Sequence, residues 1–384
     1  MNSQIDKKNL IVLAAGGTGG HLFPAEAVAR ILIDRGYKLA LLTDMRTHAY
    51  GGTLGSIDTH FIYSSHSWSI KFISILSGAL LTLFRVIHAY KILKSLSPSV
   101  VIGFGGYPSL PTLLAAKVGR IKTVIHEQNA VAGRANKLLA PISNIVATSY
   151  LETQGLNKNK GNIIHTGNPV RADINKFRKI KYKAPQNGDK IKILVIGGSQ
   201  GSKYLDNIIP KVLLKLPSNL ISRIQLTIQC RPENIDQIRR KIVGSPVDAK
   251  VAEFYDNIAE LLADAHLVIS RAGASTISEL AIIGRPALLV PYPHATNKHQ
   301  HKNAYQFSKS GGAEVIIEEN HNYEIIASKI TNLLLNTNKL AYMAQASHKS
   351  GIPNAAINLA NLIETLTSSS ECNINTKTLK KREA

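Results

Sequence analysis

The sequence predicts an α/β protein built from two nucleotide-binding folds that face each other across a cleft. In the first of two informative junctions, the apolar run 10–13 enters segment 14–21 (AAGGTGGH), which has four glycines in five residues. In the second, the apolar run 193–196 enters segment 197–201 (GGSQG). A helix is expected after each loop. Loop N–H groups bare of side chains, with a helix dipole behind them, are suited to bind a phosphate or diphosphate.

Bulk composition bounds the class of protein. At 384 residues, with 44% hydrophobic and 18% charged residues, the chain is expected to form two globular domains, each with its own core. The two cysteines, Cys230 and Cys372, show no pairing pattern, which indicates a reducing cytoplasm. Segment 1–8 is polar and the apolar run behind it is short, so the N-terminus does not resemble a signal peptide.

The formal net charge of +21 is the least ordinary of these values. A basic protein binds nucleic acid, anionic lipid or phosphorylated substrates. Aromatic residues make up only 6% of the chain and no basic–aromatic recognition module occurs, so we expect no nucleic-acid partner. Two explanations stay open with equal weight: a role at an anionic membrane, and a compositional drift toward Lys, Asn and Ile.

The first half alternates continuous apolar runs with helical stretches. Continuous Val, Ile and Leu runs between helices indicate a parallel sheet that is covered on both faces. The helix after the first loop is predicted at 24–35, with Gly36 at its C′ position. The predicted strands are 10–15, 39–43, 100–104, 123–126 and 145–148.

The second half repeats this architecture after a polar, Lys-rich stretch. We therefore predict a first domain at 1–172, a linker at 173–190, a second domain at 191–367 and a polar, disordered tail at 368–384 that ends near the basic Lys380–Arg382. The last amphipathic helix is predicted at 354–366. The predicted strands of this half are 191–196, 225–229, 250–254, 267–270 and 287–290.

Segment 72–84 (FISILSGALLTLF) contains no charged residue. As a helix it would reach about 20 Å, short of the roughly 30 Å of a bilayer core, so it cannot span a membrane. It is either a buried helix of the first domain or a helix that lies in a membrane interface. The second interpretation draws on its flanking residues, which are Trp68, Lys71, Arg85, His88, Lys91 and Lys94.

Neither glycine loop matches a standard nucleotide motif. Leu22 stands where the Rossmann fingerprint requires its third glycine, and a Walker loop is excluded because Ser202 precedes Lys203 and Tyr204 follows it. Both loops therefore resemble phosphate or sugar cradles of another kind. A third glycine-rich segment, 103–109 (GFGGYPS), follows a strand of the first half. It is either a second phosphate-binding loop on that sheet or a tight strand–helix turn.

Two titratable residues follow glycine loops and are candidates for chemistry. His21, at the end of the first loop, either takes a proton from a hydroxyl nucleophile or only hydrogen-bonds the loop. Glu279 lies in the first turns of a helix after the turn at Gly273. It either accepts hydrogen bonds from two vicinal hydroxyls of a sugar or compensates the helix dipole.

No metal site is predicted. Segment 126–129 (HEQN) lacks the second histidine of a zincin motif, and the spacing of His294, His299 and His301 matches no familiar zinc site. No Asp-x-Asp pair occurs that could hold a divalent ion beside a diphosphate. We expect neither metal nor cofactor.

Taken together, six segments between residues 16 and 304 resemble the MurG family, the N-acetylglucosaminyltransferases that act on undecaprenyl-diphospho-MurNAc-pentapeptide in peptidoglycan synthesis. The first loop alone would be weak evidence, but the ordered set over both halves is highly specific. The segments are GGTGGHLFPAEAVA (16–29), GFGGYPSLP (103–111), HEQNAVAGRANKLLA (126–140), TGNPVR (166–171), GGSQGS (197–202) and SRAGASTISELAIIGRPALLVPYPHATNKHQHKNA (270–304).

The resemblance implies a GT-B glycosyltransferase fold, with two Rossmann-like doubly wound domains and a cleft between them. It implies that the acceptor binds the first domain and UDP-N-acetylglucosamine mainly the second. Glu279 matches the acid that holds the ribose hydroxyls, Ser199 lies beside the diphosphate, Gln300 lies by the sugar, and Tyr255 falls where a backbone group contacts uracil. The other implied donor contacts are Thr18, Gly19, Gly20, Asn129 and Arg171; the candidates for the acceptor diphosphate are Gly105, Gly106 and Tyr107.

The implied reaction inverts the anomeric centre in a single displacement on the 4-hydroxyl of lipid-linked MurNAc-pentapeptide (lipid I). His21 is the candidate base, and the amides of 197–202 would stabilise the leaving UDP without a metal. A lipid-anchored acceptor favours 72–84 as a membrane-contacting segment. We therefore expect a peripheral enzyme on the cytoplasmic face of the inner membrane, bound to anionic lipid.

Two alternatives remain at this stage. Another GT-B enzyme, either a lipid glycosyltransferase or a UDP-N-acetylglucosamine epimerase, would share the loops; the epimerase would need paired acids in the cleft and no exposed apolar patch. A non-catalytic protein that binds nucleotide sugars at the membrane is disfavoured by the presence of both His21 and Glu279.

Overall fold

The computed structural model of the protein describes residues 10–17, 19–44, 52–62, 75–157, 162–199, 201–320 and 322–367, with the backbone alone at 75–79 and 320. The predicted tail lies outside the described residues.

The first domain is a parallel sheet of seven strands in the order β3-β2-β1-β4-β5-β6-β7. Its elements are β1 (Leu10–Ala14), α1 (Gly19–Asp34), β2 (Lys38–Thr43), α2 (Gly52–Gly55), β3 (Asp58–Phe61), α3 (Ile75–Leu96), β4 (Val100–Gly103), α4 (Ser109–Val118), β5 (Lys122–Glu127), α5 (Arg134–Leu139), β6 (Ile145–Thr148) and β7 (Ile163–His165).

The second domain is a parallel sheet of six strands in the order β10-β9-β8-β11-β12-β13. Its elements, with the helices before and after it, are α6 (Ala172–Lys176), β8 (Ile191–Ile196), α7 (Lys203–Leu213), α8 (Ser218–Ile221), β9 (Ile224–Gln229), α9 (Ile235–Ile242), β10 (Asp248–Ala252), α10 (Ile258–Asp264), β11 (Leu267–Ser270), α11 (Ala274–Ile283), β12 (Ala287–Leu289), α12 (His299–Lys309), β13 (Ala313–Val315), α13 (Tyr323–Leu335), α14 (Thr337–Ser350) and α15 (Ala355–Thr367).

Both sheets are doubly wound, as the sequence predicts. The chain order reverses between β1 and β4 in the first sheet and between β8 and β11 in the second. Ligands of such folds bind outside the carboxyl ends of the strands at these switch points. The two glycine loops that the sequence analysis identified follow β1 and β8, so each lies at the switch point of its own sheet.

Apolar side chains cover both faces of each sheet, which explains why the strands have continuous rather than alternating hydrophobicity. In β1, Ile11 and Leu13 pack with α1, whereas Val12 belongs to the cluster on the opposite face with residues of α3 and α4. In β8, Ile193 and Leu194 divide in the same way between two clusters. Each fully buried Leu or Ile contributes roughly 1.5–3 kcal/mol.

The ten predicted strands are present, with ends shifted by up to two residues. Three strands were missed, β3, β7 and β13, because they are short and the first of them is mostly polar (DTHF). The helix predicted at 24–35 begins five residues earlier, at Gly19. Pro24 lies in the second turn of this helix, where its fixed φ is helical but its missing N–H removes one hydrogen bond.

The chain passes from the first domain to the second and then returns to the first. The predicted domain boundaries contain only the first of these two passages. Part of the predicted linker is helix α6, whose Ile174 is fully buried in the second domain. Helix α15, which we predicted within the second domain, packs instead on α1 of the first, where Leu359 and Ile363 join the core. An ion pair of 2.5 Å between Arg35 and Glu364 lies at the edge of this contact.

Candidate functional site

The carboxyl edges of the two sheets are held together by Asn303 of α12, a side chain with no exposed surface. Its Oδ1 accepts a hydrogen bond from the backbone N–H of Ala130 (2.8 Å). Its Nδ2 donates to Oδ1 of Asn129 (3.0 Å) and to the carbonyl of Ala272 (3.2 Å). Asn303 therefore joins a loop of the first domain to the end of β11, and it fixes Asn129, a predicted donor contact, at the cleft.

The first and third glycine loops form one continuous floor in the first domain. A Cβ on Gly106 would lie 2.5 Å from the carbonyl oxygen of Gly16, and a Cβ on Gly16 would lie 2.8 Å from the ring of Pro108. Gly106 also has a φ of +77°, which disfavours any other residue. Ser109 donates to the carbonyls of Ala14 (3.0 Å) and Gly105 (2.7 Å). Contacts this close leave room only for glycine.

His21 lies against this floor at the start of α1. Its Nδ1 and Cε1 are each 3.0 Å from the position that a Cβ of Gly105 would occupy. Burial lowers the pKa of the imidazole, against the opposing effects of the Glu127 charge and of hydrogen bonding by Phe104 and Gln128. A histidine with a lowered pKa is uncharged at neutral pH and is able to accept a proton. Thr18, another predicted donor contact, is not among the described residues; Gly19 and Gly20 form the first turn of α1.

The loop after β5 is organised by Glu127, which the sequence analysis did not select. Its Oε1 accepts from the backbone N–H and Nδ2 of Asn129 (2.9 and 3.2 Å). Its Oε2 accepts from the N–H of Gly133 and from Nδ2 of Asn136, both at 2.8 Å. With four hydrogen bonds, this carboxylate shapes the loop and orients Asn129.

Arg171 and the buried Glu279 form a partly buried ion pair at the junction of the domains. Nε and Nη2 of Arg171 donate to Oε1 of Glu279 at 3.2 and 3.1 Å. Burial raises the pKa of Glu279, and the positive charge of Arg171 opposes that rise. The guanidinium also lies over the ring of Phe23 in α1, 4.9 Å from its centre. Two residues predicted separately to contact the donor are thus brought together.

The loop after β8 presents the N-terminus of α7 to the cleft. A Cβ on Gly197 would lie 2.5 Å from the backbone nitrogen of Ser202, so the loop closes tightly there. Ser202 is the N-cap and accepts from the N–H of Leu205 (3.3 Å). Ser199 is exposed on this loop, where a diphosphate would meet backbone N–H groups and the positive end of the helix dipole.

The side chains of two further predicted donor contacts, Gln300 and Tyr255, are held by hydrogen bonds to backbone groups. Oε1 of Gln300 accepts from the N–H groups of Ala272 (3.2 Å) and Tyr292 (2.9 Å), which fixes its side chain beside the end of β11. The hydroxyl of Tyr255 donates to the carbonyl of Lys250 (3.0 Å), so the side chain is engaged within the domain. Among the described residues, no group of three His, Cys, Asp or Glu side chains is placed to hold a metal ion.

Helix α3 carries a row of exposed apolar residues, which we call the α3 stripe: Leu80, Leu83, Phe84 and Ile87. They are 66%, 58%, 65% and 47% exposed and follow the i, i+3, i+4, i+7 spacing of one helix face. The opposite face packs on α4. Trp68, Lys71 and 72–74, the start of the predicted apolar segment, are not described. No helix among the described residues is long and apolar enough to cross a bilayer.

The α3 stripe adjoins the third glycine loop. Arg85 of α3 lies over the ring of Tyr107 in that loop, 4.5 Å from its centre. Tyr107 is itself partly exposed. A surface with exposed apolar side chains therefore lies next to a loop that we predicted to bind the diphosphate of the acceptor.

Comparison with known proteins gives consistent matches over both domains. Residues 11–148 match the model of the glycosyltransferase family 28 N-terminal domain, and residues 192–359 match that of its C-terminal domain. A protein of Paramagnetospirillum magneticum, named UDP-N-acetylglucosamine–N-acetylmuramyl-(pentapeptide) pyrophosphoryl-undecaprenol N-acetylglucosamine transferase, is 45% identical over 93% of this chain and 96% of its own. A protein of Allorhizobium ampelinum with the same name is 42% identical over 97% and 98%.

Solved structures agree with these matches. The crystal structure of Acinetobacter baumannii MurG has a TM-score of 0.75 and 27% identity, and the match covers 93% of this chain and 99% of that one. A putative UDP-N-acetylglucosamine 2-epimerase of Listeria monocytogenes has a TM-score of 0.63, covering 94% and 98%, but is only 14% identical. That second likeness shows a common fold alone.

Proposed function

Because this chain belongs to the MurG family within glycosyltransferase family 28, we propose that it transfers N-acetylglucosamine from UDP-N-acetylglucosamine to the 4-hydroxyl of MurNAc-pentapeptide on undecaprenyl diphosphate. The chain is a glycosyltransferase of peptidoglycan synthesis with two parallel-sheet domains, as the sequence analysis predicted. The observation that supports the proposal most directly is the placement of two glycine loops at facing switch points, with His21 on one side and the Arg171–Glu279 pair between the domains.

We place the donor across the junction of the domains. Glu279 accepts hydrogen bonds from the ribose, Arg171 holds the carboxylate in place, and the loop at Ser199 binds the diphosphate. Hydrogen bonds through Asn303 and Ala272 link Asn129 to Gln300. We propose that both side chains contact the sugar. Gly19, Gly20 and the backbone at Tyr255 complete the proposed donor site, together with Thr18.

In the proposed reaction, the acceptor oxygen attacks the anomeric carbon as the bond to UDP breaks. Positive charge develops on the sugar ring and negative charge on the leaving diphosphate. We propose that backbone N–H groups of the loop after β8, together with the α7 dipole, stabilise that negative charge. His21, uncharged at neutral pH, takes the proton of the 4-hydroxyl.

The acceptor is proposed to reach the cleft from a membrane surface. The diphosphate binds at Gly105, Gly106 and Tyr107, and the α3 stripe contacts the lipid beside it. Arg85 connects the two surfaces through its contact with Tyr107. Lys91 and Lys94 follow the stripe on the exposed surface of α3, so they are available to anionic headgroups. The protein would thus lie on the cytoplasmic face of the inner membrane as a peripheral enzyme.

The activity is tested by incubating the purified protein with labelled UDP-N-acetylglucosamine and a soluble lipid I analogue. We expect a β-linked disaccharide product and one UDP released for each disaccharide formed. Release of UDP without transfer would contradict the proposal, as would conversion of the donor to its 2-epimer. A parallel sample without acceptor measures donor hydrolysis and serves as the control.

A further inference from the structure

A chain of buried side chains runs through the first domain behind His21. At one end, Nε2 of His126 lies 3.1 Å from the carbonyl oxygen of Gly167. Nδ1 of the same ring lies 3.3 Å from Nε2 of Gln128. That amide nitrogen also donates to the carbonyl of Phe104 at 2.6 Å. His126 and Gln128 are almost completely buried, so solvent does not compete for these bonds.

The position of each proton in this chain follows from the contact between His126 and the carbonyl of Gly167. A carbonyl oxygen only accepts, so the bond to Gly167 requires the proton of His126 on Nε2. Burial lowers the pKa of His126 to about 4, so the ring is neutral at pH 7 and its Nδ1 is an acceptor. Gln128 must then present its N–H groups to His126 and Phe104. The amide oxygen of Gln128 is left to face the other way.

Two buried atoms without a hydrogen-bond partner lie at the other end, Oε1 of Gln128 and Nδ1 of His21. Both border the space above Gly105: the position of an added Cβ is 3.0 Å from Nδ1 and 3.8 Å from Oε1. The backbone of Phe104 also lies near the imidazole, where it acts to raise the pKa of His21. A proton on Nδ1 would give the unpartnered Oε1 of Gln128 a donor, and it would give Nδ1 the acceptor that it lacks.

We infer that Gln128 is a positioning residue that holds His21 in the tautomer protonated on Nδ1, so that Nε2 is free to take the proton of the acceptor hydroxyl. This inference rests on the proposed function. As the new C–O bond forms and the C–O bond to UDP breaks with its electron pair, the hydroxyl proton moves to Nε2. The proton on Nδ1 stays directed at Gln128, and the proton on Nε2 is later released to water.

A neutral amide suits this task better than a carboxylate would. A carboxylate at this distance would stabilise the imidazolium and raise the pKa of His21, which would leave the base protonated at a higher pH. The charge of Glu127 already raises the pKa of His21 from a neighbouring position. The other titratable groups that interact with His21 are His126 and His299, and the charge of His21 lowers the pKa of each. Gln128 sets the tautomer without adding charge.

The parent protein tests the inference directly by NMR of ¹⁵N-labelled histidine, with the His21 signals identified from their loss in His21→Ala. We expect a protonated, pyrrole-type Nδ1 and an unprotonated, pyridine-type Nε2 at pH 7.5. The opposite pattern would overturn the inference. This measurement needs no altered Gln128 and does not depend on turnover.

Two variants measure the effect on the reaction. Gln128→Met keeps the length of the side chain but removes both hydrogen-bonding atoms. We expect mixed His21 tautomers and a decrease of kcat by up to about tenfold, with the KM for the donor unchanged. Gln128→Glu retains an acceptor oxygen, so we expect the Nδ1-protonated tautomer to persist and the acidic limb of kcat to move to higher pH. Gln225→Met, at the amino edge of the second sheet, is the matched control.

The outcomes separate this inference from the proposed function. If His21→Ala abolishes transfer while Gln128→Met changes neither tautomer nor kcat, the inference is wrong and the proposed function stands. If transfer is absent from the parent protein, the proposed function fails, and the NMR experiment still decides the tautomer. A changed tautomer with an unchanged kcat also overturns the positioning role.

Discussion

Arg171 donates two hydrogen bonds to one oxygen of Glu279, Oε1, at 3.2 and 3.1 Å. The second oxygen, Oε2, takes no part in this ion pair. Because Arg171 immediately precedes α6 and Glu279 lies on α11, the pair fixes the chain that leaves the first domain against the second. The geometry leaves one oxygen of a buried carboxylate for a ligand hydroxyl while the charge on the other is compensated.

This arrangement predicts discrimination between ribose and deoxyribose donors. A hydrogen bond from a hydroxyl to a charged carboxylate contributes roughly 1.5–3 kcal/mol, which corresponds to tenfold or more in affinity. We expect the 2′- or the 3′-deoxy analogue of the donor to bind at least tenfold more weakly than UDP-N-acetylglucosamine in titration calorimetry. Glu279→Ala should remove the difference.

The control for that experiment is Glu279→Gln, which keeps the shape and one acceptor oxygen but loses the charge. Its discrimination should be intermediate. Equal affinity of the parent protein for the ribose donor and both deoxy analogues would contradict the role of Glu279, whatever the variants do.

His21 is predicted to affect turnover rather than donor binding. A positioned general base contributes typically 10²–10⁴-fold, so His21→Ala should lower kcat by about a hundredfold or more and leave the Kd of the donor nearly unchanged. The measurement is steady-state transfer at saturating substrates together with calorimetry. A variant with near-parental kcat would assign His21 a structural role.

The pH dependence of transfer follows from the burial of His21. The base must be unprotonated, and burial lowers its pKa below the ordinary value of 6.5. We therefore expect the acidic limb of kcat to be centred below pH 6.5. An acidic limb centred above pH 7 would show that another group is the base or that the charge of Glu127 dominates.

His126 predicts a loss of stability in acid. Its pKa is about 4 in the folded protein, below the ordinary 6.5, so the unfolded chain binds the proton more tightly between these values. The contribution of the neutral His126 ring to the free energy of unfolding is fully present above pH 6.5, and it decreases as the pH falls toward 4. Between pH 6.5 and 5 the loss is about 2 kcal/mol.

Denaturant unfolding at the two pH values measures this effect. His126→Gln cannot titrate and should show a smaller pH dependence than the parent protein by about that amount, whereas His294→Gln, at an exposed histidine, should behave like the parent. An identical pH dependence in all three proteins would contradict the account of His126.

Transfer is predicted to be independent of divalent metal. The proposed stabilisation of the leaving UDP comes from N–H groups at 197–202 and from the α7 dipole, neither of which needs an ion. We expect full activity after dialysis against EDTA, assayed with chelator present. Loss of activity with EDTA and its complete recovery with Mg²⁺ or Mn²⁺ would contradict this explanation.

Local pattern predicted much of the fold and the places of the loops. A strand, glycines and a helix are consecutive in sequence, so the loops after β1 and β8 were recognisable. The repetition of this pattern also showed that the two halves of the chain share one architecture. The carboxyl edge of a parallel sheet then brings such loops together. His21 and Glu279 were found because each follows a loop of this kind.

Contacts between distant segments were not predictable in the same way. Asn303 and Asn129 are 174 positions apart, and nothing in the sequence near either residue indicates the other. Glu127 and Gln128 entered the sequence analysis only inside longer segments, one that failed to match a zinc site and one that resembled the family, since their own functions depend on which backbone groups lie around them. The return of α15 to the first domain is likewise a property of packing, because an amphipathic pattern does not indicate which core the helix joins.

The last prediction concerns the α3 stripe, whose apolar pattern the sequence contained but whose exposure only the structure shows. Three large side chains transferred from water into lipid contribute several kcal/mol, and each nearby Lys or Arg contributes about 1 kcal/mol at an anionic surface. We expect the protein to co-sediment with anionic vesicles and only weakly with neutral ones, and high salt to reverse part of the binding.

Replacing Leu80, Leu83 and Phe84 together with Ser should abolish this co-sedimentation. Because all three are exposed, the variant should fold, bind donor and transfer to a soluble acceptor analogue at the parental rate, while transfer to acceptor embedded in vesicles falls. The matched control replaces three exposed apolar residues of the second domain, Leu214, Val243 and Leu335, with Ser and should still bind vesicles. If the folded α3 variant sediments as the parent does, the membrane contact lies elsewhere, since the stripe would then contribute no measurable free energy of binding.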